Sequence, residues 1–155
     1  MPVAPFIFRW STFNQLSPTE LYEILRVRQE VFVVEQDCAY QDVDGKDQRA
    51  WHLACWDDTA ESPTLLAYLR VVHPGEKYPE PSIGRVLTSK AARGTGLGKE
   101  LMRTAIERTR REYPQAPIRI SAQLYLNKFY TDLGFEPVSE PYDEDGIPHI
   151  EMVLA

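Results

Sequence analysis

Apolar and polar positions along this chain follow two rhythms: one runs through short segments at every residue or every second one, the other recurs every three to four. Phe6-Ile7-Phe8-Arg9-Trp10 is rich in aromatic and β-branched residues and reads as a first strand. Ser17-Pro18-Thr19-Glu20 is a helix start, in which Ser17 caps, Pro18 suits the first helical position and Glu20 completes a capping box. Leu21, Ile24 and Leu25, then Arg28, Val31 and Phe32, follow at helical spacing, which predicts a helix with a break or second turn over roughly 18–35. Gln36–Gln48 is polar, holds Asp42, Asp44, Gly45 and Asp47, and reads as a loop. Two strands are predicted next, Ala50–Trp56 and Thr64–Val72, with a turn beginning at Asp57. Prolines and a glycine make Pro74–Pro81 another loop, and Ser82–Thr88 is a fourth strand.

Leu97, Leu101, Met102, Ala105 and Ile106 then form one apolar face of a helix that closes near Tyr113-Pro114. Ile118-Arg119-Ile120 is a short buried strand, and Leu124–Leu133 a helix ended by Gly134. Phe135–Val138 and His149–Leu154 are the last strands, on either side of an acidic loop. The order places consecutive antiparallel strands beside a central strand–helix–strand unit. It predicts an α/β (α+β) fold with one mixed, mostly antiparallel sheet and helices packed on both faces. No repeat, low-complexity stretch or linker divides residues 1–155, which are expected to form a single domain.

Composition narrows the function classes. With 43% apolar and 26% charged residues a core is feasible and bulk disorder is not expected. No apolar run approaches the ~20 residues of a membrane span. The first ten residues do not place a basic segment before a long apolar one, so no secretory signal is read there. Cys38 and Cys55 make no disulfide framework, and a cytoplasmic location is expected. The net charge of −6 argues against a nucleic-acid partner. That charge is uneven, however. Residues 82–112 hold Arg85, Lys90, Arg93, Lys99, Arg103, Arg108, Arg110 and Arg111 against only Glu100, Glu107 and Glu112. Either this is a helix with a solvated basic face or the segment meets a local anion.

Arg93-Gly94-Thr95-Gly96-Leu97-Gly98 tips the balance toward an anion. It lies between a strand and a helix, where backbone N–H groups at the helix start and the helix dipole favour phosphate. Glycines let the chain turn tightly and approach a ligand closely, and Arg93 can add a charge-assisted contact. The spacing excludes a Walker loop, because Gly98-Lys99 is followed by Glu100. It also departs from the Gly-x-Gly-x-x-Gly dinucleotide fingerprint.

At these residues the chain resembles a known family. Arg93-x-x-Gly96-x-Gly98 after a strand is similar to the acyl-CoA pyrophosphate loop of GNAT-type N-acetyltransferases. Asn127 followed by Tyr130-Thr131-Asp132-Leu133-Gly134-Phe135 resembles a second segment of that family. More narrowly, Arg28-x-x-Val31-Phe32-Val33-Val34-Glu35-Gln36, Asp42-Val43-Asp44-Gly45, His52 and Asp145-Gly146-Ile147-Pro148-His149 resemble the ElaA-like subgroup. The resemblance implies direct acetyl transfer from acetyl-CoA to an amine through a ternary complex. It implies that Val86, Leu87 and Thr88 line the pantetheine, with backbone N–H groups there polarising the thioester carbonyl. It implies that Gly94, Gly96, Leu97 and Gly98, with Arg93, hold the pyrophosphate, and that Asn127 contacts the pantetheine or nearby backbone. Tyr130 matches the family's tyrosine acid, which protonates the departing sulfur.

For the base, the fold of that family puts Glu35 at the acceptor end, while His52 has a suitable intrinsic pKa and water is a third route. The acceptor is expected to be a small-molecule, peptide or protein amine. The acidity of the rest of the chain favours a cationic one. Many domains of this kind form homodimers. A non-catalytic acyl-CoA-binding sensor or interaction module is the alternative from another class. No zinc spacing is present among His52, His73, His149 and the cysteines, and no metal is expected. Asp42-x-Asp44 lacks the glycine position of a calcium loop, and Cys38 stands in a polar loop with little support as a nucleophile.

Overall fold

The computed structural model describes residues 5–155. Residues 1–4, the start of the segment in which no secretory signal is read, lie outside them. Four strands, β1 (Phe6–Thr12), β2 (Trp51–Asp57), β3 (Leu65–Val72) and β4 (Ser82–Thr88), pair antiparallel in chain order. Helix α2 (Leu97–Glu112) then carries the chain to β5 (Ile118–Gln123), which lies parallel to β4. β8 (Ile147–Leu154) runs antiparallel to β5, and β6 (Glu136–Pro137) and β7 (Tyr142–Glu144) both pair with β8. The result is one mixed, mostly antiparallel sheet in the order β1-β2-β3-β4-β5-β8-β6.

The middle of the sheet is buried on both faces, which is why β3 is apolar at every position but Arg70 and buried at every one. On β2, Leu53 and Cys55 join the core formed with Leu97, Leu101, Met102 and Ala105 of α2. Ala54 and Trp56 alternate to the other face, beneath Ile24 and Val27 of α1 (Pro18–Arg28). The start of α1 follows its sequence signature: Glu20 N–H donates to Ser17 Oγ at 3.1 Å, and Ser17 N–H to Glu20 Oε1 at 2.8 Å.

The predicted helix with a break or second turn over 18–35 is found: it is α-helical to Arg28 and continues as a wider π-helical turn over Gln29–Glu35. Later elements depart from the expected bounds. The predicted helix 124–133 is a tight turn at Leu124–Leu126 followed by α3 (Asn127–Asp132). The expected strand at 135–138 is reduced to β6. Within the acidic loop the structure adds β7, joined to β8 through Asp145 and Gly146, both at positive φ (53° and 82°). Asp-Gly is the favoured pair for such a two-residue hairpin turn, a signal that the sequence reading passed over. No described helix is long and apolar enough to cross a membrane.

Candidate active site

Strands β4 and β5 touch at one place only. Ser82 lies opposite Arg119, and beyond that pair the two strands diverge. Past Ser82 the edge of β4 that faces β5 therefore has no ladder partner, and a cavity of about 910 Å³ opens between the strands. β4 is also irregular. Its register against β3 slips between Tyr68 and Arg70, so that Arg85 and Val86 together face Leu69, and Arg85 takes a left-handed φ of 54°. Such a bulge bends a strand and re-aims its side chains, and a non-glycine residue at positive φ persists only where the surroundings hold it.

What holds it is a buried ionic network at one end of the cleft. Arg28, 0% exposed, donates to Asp42 at 3.0 Å, to Asp47 at 2.7 Å and to the Asp42 carbonyl at 2.9 Å. Arg70 donates to Asp44 at 2.6 and 2.8 Å and to Asp47 at 3.0 Å. Arg85 reaches Asp42 at 2.7 Å and Asp44 at 3.4 Å. Tyr40 O–H donates to Asp42 at 3.1 Å, and burial pushes its phenol up to about 12. Burial would raise the Asp44 and Asp47 carboxyls, but the bonded arginines outweigh it and hold both below the usual carboxylate range. Three arginines and three aspartates thus pin the loop after the π-helical turn onto β3 and β4. The sequence reading missed Arg70, although a charge inside an otherwise apolar strand signals a buried partner.

His52, considered above as a base, does not stand in the wall of the cavity. It is 1% exposed on β2, and both ring nitrogens are engaged: Nε2–H donates to the Asp47 carbonyl at 2.9 Å, which leaves Nδ1 to accept from Tyr68 O–H at 2.6 Å. Burial holds its pKa below the ordinary value, with Asp47 opposing. It braces the ionic network and has no free nitrogen for a substrate.

Glu35 does reach the cavity, at the end of the π-helical turn. Its carboxylate accepts from Arg93 at 2.6 Å and lies 3.6 Å from Lys90. The Arg93 bond is the main reason its pKa lies below the ordinary value. The glycine-rich loop is therefore tied across the cleft to the opposite wall. Two further contacts bridge the walls, from Cys38 Sγ to the Asp145 carbonyl at 3.3 Å and from Gln123 Nε2 to Gln36 Oε1 at 3.4 Å.

Val86, Leu87, Thr88 and Arg93 line the cavity, whereas Gly94, Gly96, Leu97 and Gly98 run on from Arg93 outside its wall. Gly94 and Gly96 have φ of 77° and 83°, and a Cβ at either would meet nothing within 4 Å, so the loop faces open space. Gly96 caps α2 without a side-chain partner for the first-turn amides; only Thr95 Oγ1 approaches Leu97 N–H, at 3.4 Å. Exposed N–H groups at a helix start next to an arginine suit a pyrophosphate. Tyr130, on α3, is 6% exposed and lines the cavity. Burial raises its phenol well above the ordinary value, with Tyr125 acting in the same direction. Asn127 stands one turn earlier on α3, accepts from Thr131 Oγ1 at 3.3 Å and is not in the wall. Among the described residues no three His, Cys, Asp or Glu side chains converge as a metal site.

Comparisons with known proteins agree with this fold. The family model for the acetyltransferase (GNAT) domain matches residues 16–155. A UPF0039 protein of Synechocystis is 48% identical over 145 residues, covering 94% of this chain and 92% of that protein. Protein ElaA of Escherichia coli is 41% identical over 141 residues, covering 90% of each. Among solved structures, an acyl-CoA N-acyltransferase from Pseudomonas aeruginosa superposes with a TM-score of 0.90 at 43% identity, covering 97% of this chain and 100% of that chain.

Proposed function

Because the chain belongs to the GNAT family of acyltransferases, in its ElaA-like group, we propose that its cleft moves an acetyl group from acetyl-CoA directly to a primary amine while both are bound. The observation that carries this reading is Tyr130, a buried tyrosine with a raised phenol pKa in the wall of a cleft whose β4 edge is unpaired. In this reading acetyl-CoA supplies an activated thioester. The open N–H groups of Gly94, Gly96, Leu97 and Gly98, with Arg93, hold its pyrophosphate. Val86, Leu87 and Thr88 run along the pantetheine, and unpaired N–H groups of β4 polarise the thioester carbonyl. Asn127 supports the same arm. Tyr130 donates its proton to the departing sulfur, and its raised pKa keeps that proton in place at neutral pH.

Glu35 takes part through Arg93. A phosphate at the glycine loop competes for the guanidinium, and that removes the main cause of the lowered Glu35 pKa. Donor binding thereby returns the carboxylate toward the basicity a proton acceptor needs. His52 keeps the structural place described above.

The test begins with calorimetric titration of acetyl-CoA and of CoA into the protein. Micromolar 1:1 binding is expected, and transfer to an amine should follow as release of free thiol. Binding without turnover on any amine would favour a non-catalytic sensor. No binding of either ligand would remove the donor site.

A further inference from the structure

The wall of the cavity carries charges that no described ion pair compensates. The guanidinium groups of Arg70 and Arg85 are committed to Asp42, Asp44 and Asp47, and that of Arg93 to Glu35. Lys46 and Lys77 line the same cavity, and among the described residues neither has a carboxylate within ion-pair distance. Lys46 is half-buried in the loop after the π-helical turn. Lys77 stands on the β3–β4 loop, its Nζ 5.4 Å from the Tyr78 ring centroid. Its ammonium is held below the ordinary value, by desolvation first and then by Arg85, Arg70 and Lys46, with Glu144 opposing. Asp145, exposed at the tip of the β7–β8 hairpin, also lines the cavity. Only its carbonyl is used, by Cys38, and no described cation pairs with its carboxylate.

Two ammonium groups and the Asp145 carboxylate stand outside any described ion pair in one cavity wall, beside Glu144, which meets His149 Nε2 at 3.2 Å, and together they are complementary to a molecule that carries both charges. The acidity of the chain as a whole points to a purely cationic acceptor, but the charges on the wall itself do not. We propose that the acceptor is an amino acid, its carboxylate held by Lys46 and Lys77 and its ammonium drawn in on the Asp145 side. This rests on the acyltransferase reading above.

The ammonium gives one proton to solvent and becomes the free amine. Its nitrogen lone pair forms the new N–C bond as the C–S bond breaks. The nitrogen's surplus proton passes to Glu35 or water. The sulfur takes a proton from Tyr130, which is restored from solvent. The products are CoA thiol and an N-acetyl amino acid. The product has lost its positive charge, so Asp145 no longer holds it.

Free-thiol release with acetyl-CoA and matched acceptors tests the assignment: leucine against leucinamide, and lysine against cadaverine. The amino acid of each pair should be preferred by about tenfold or more in kcat/KM, the effect of one charge-assisted contact. The double variant Lys46→Gln with Lys77→Gln should raise the KM for the amino acid by about tenfold or more, with kcat and calorimetric acetyl-CoA affinity unchanged. That unchanged affinity also reports that the variant is folded. Equal use of the amides and of cadaverine overturns the proposal. So does an unchanged KM in the double variant, or acetyl-CoA binding with no transfer to any amino acid. Failure of the wild-type protein to bind acetyl-CoA overturns the acyltransferase reading itself, and this proposal with it.

Discussion

A tyrosine that is to give up a proton must first keep it. Tyr130 meets that condition through burial, which disfavours the phenolate, with Tyr125 acting in the same direction. Tyr130→Phe removes the proton and leaves the ring in place against Phe129 and Phe135. We expect kcat to fall by roughly 10²-fold or more, the usual worth of one acid, with acetyl-CoA affinity unaltered. A variant with wild-type kcat would assign the proton to another group. The pair of Glu35 and Arg93 makes a second expectation at this scale. Since Arg93 is the main cause of the lowered Glu35 pKa, Arg93→Gln should raise that pKa toward its ordinary value. Carboxyl NMR titration reads the shift, and acetyl-CoA added to the wild-type protein should move Glu35 in the same direction. No movement with ligand would separate Glu35 from donor binding. That Tyr130 and Glu35 meet at one cavity was legible in the sequence because their neighbours form motifs. Arg70, Arg85, Lys46 and Lys77 were not, because each is defined by partners, or by the lack of them, far away along the chain.

Elements were legible where one periodicity ruled. The face of α2, the capping box of α1 and the bounds of β4 follow from local pattern, and all three are found. The break in the first helix was legible but its π-helical form was not, and the bulge at Arg85 and the parting of β4 from β5 leave no such trace, since each is an irregularity imposed by packing. They are also the features that shape the cleft, consistent with irregular backbone collecting at functional sites. Gly96 shows how the loop can be tested without a clash. A side chain there meets open space, so the penalty in the unliganded fold is the left-handed backbone, about 1–2 kcal/mol. Gly96→Val should therefore remain folded, with a urea midpoint slightly lowered, and lose affinity for acetyl-CoA because its side chain occupies the space in front of the amides. Unchanged affinity would show that the ligand does not approach the backbone at this point.

On the scale of the molecule, the buried ions of the Arg28 network tie the loop after the π-helical turn to β3 and β4, so the site and the stability of the fold share one set of charges. Arg28→Met would leave Asp42 and Asp47 buried without that partner, and such a loss costs about 3–5 kcal/mol, read as a lower denaturant midpoint. The same network sets the response to acid. Asp44 and Asp47 have folded pKa values below their unfolded ones, because the arginines outweigh burial. Above an unfolded aspartate value of about 3.9, both states carry the charge and the stabilisation is fully present. As pH falls below that value, the unfolded chain takes up protons that the fold still refuses, so unfolding becomes easier. The contribution disappears once the pH passes the folded values. Urea midpoints should hold steady from neutrality to about pH 5, then drop steeply between about pH 4 and 2. Asp44→Asn, which cannot take up that proton, should be less stable at pH 7 and show a shallower acid slope. A wild-type slope in that variant would place the acid sensitivity outside this network. A midpoint that rises on acidification would contradict the sign of the linkage.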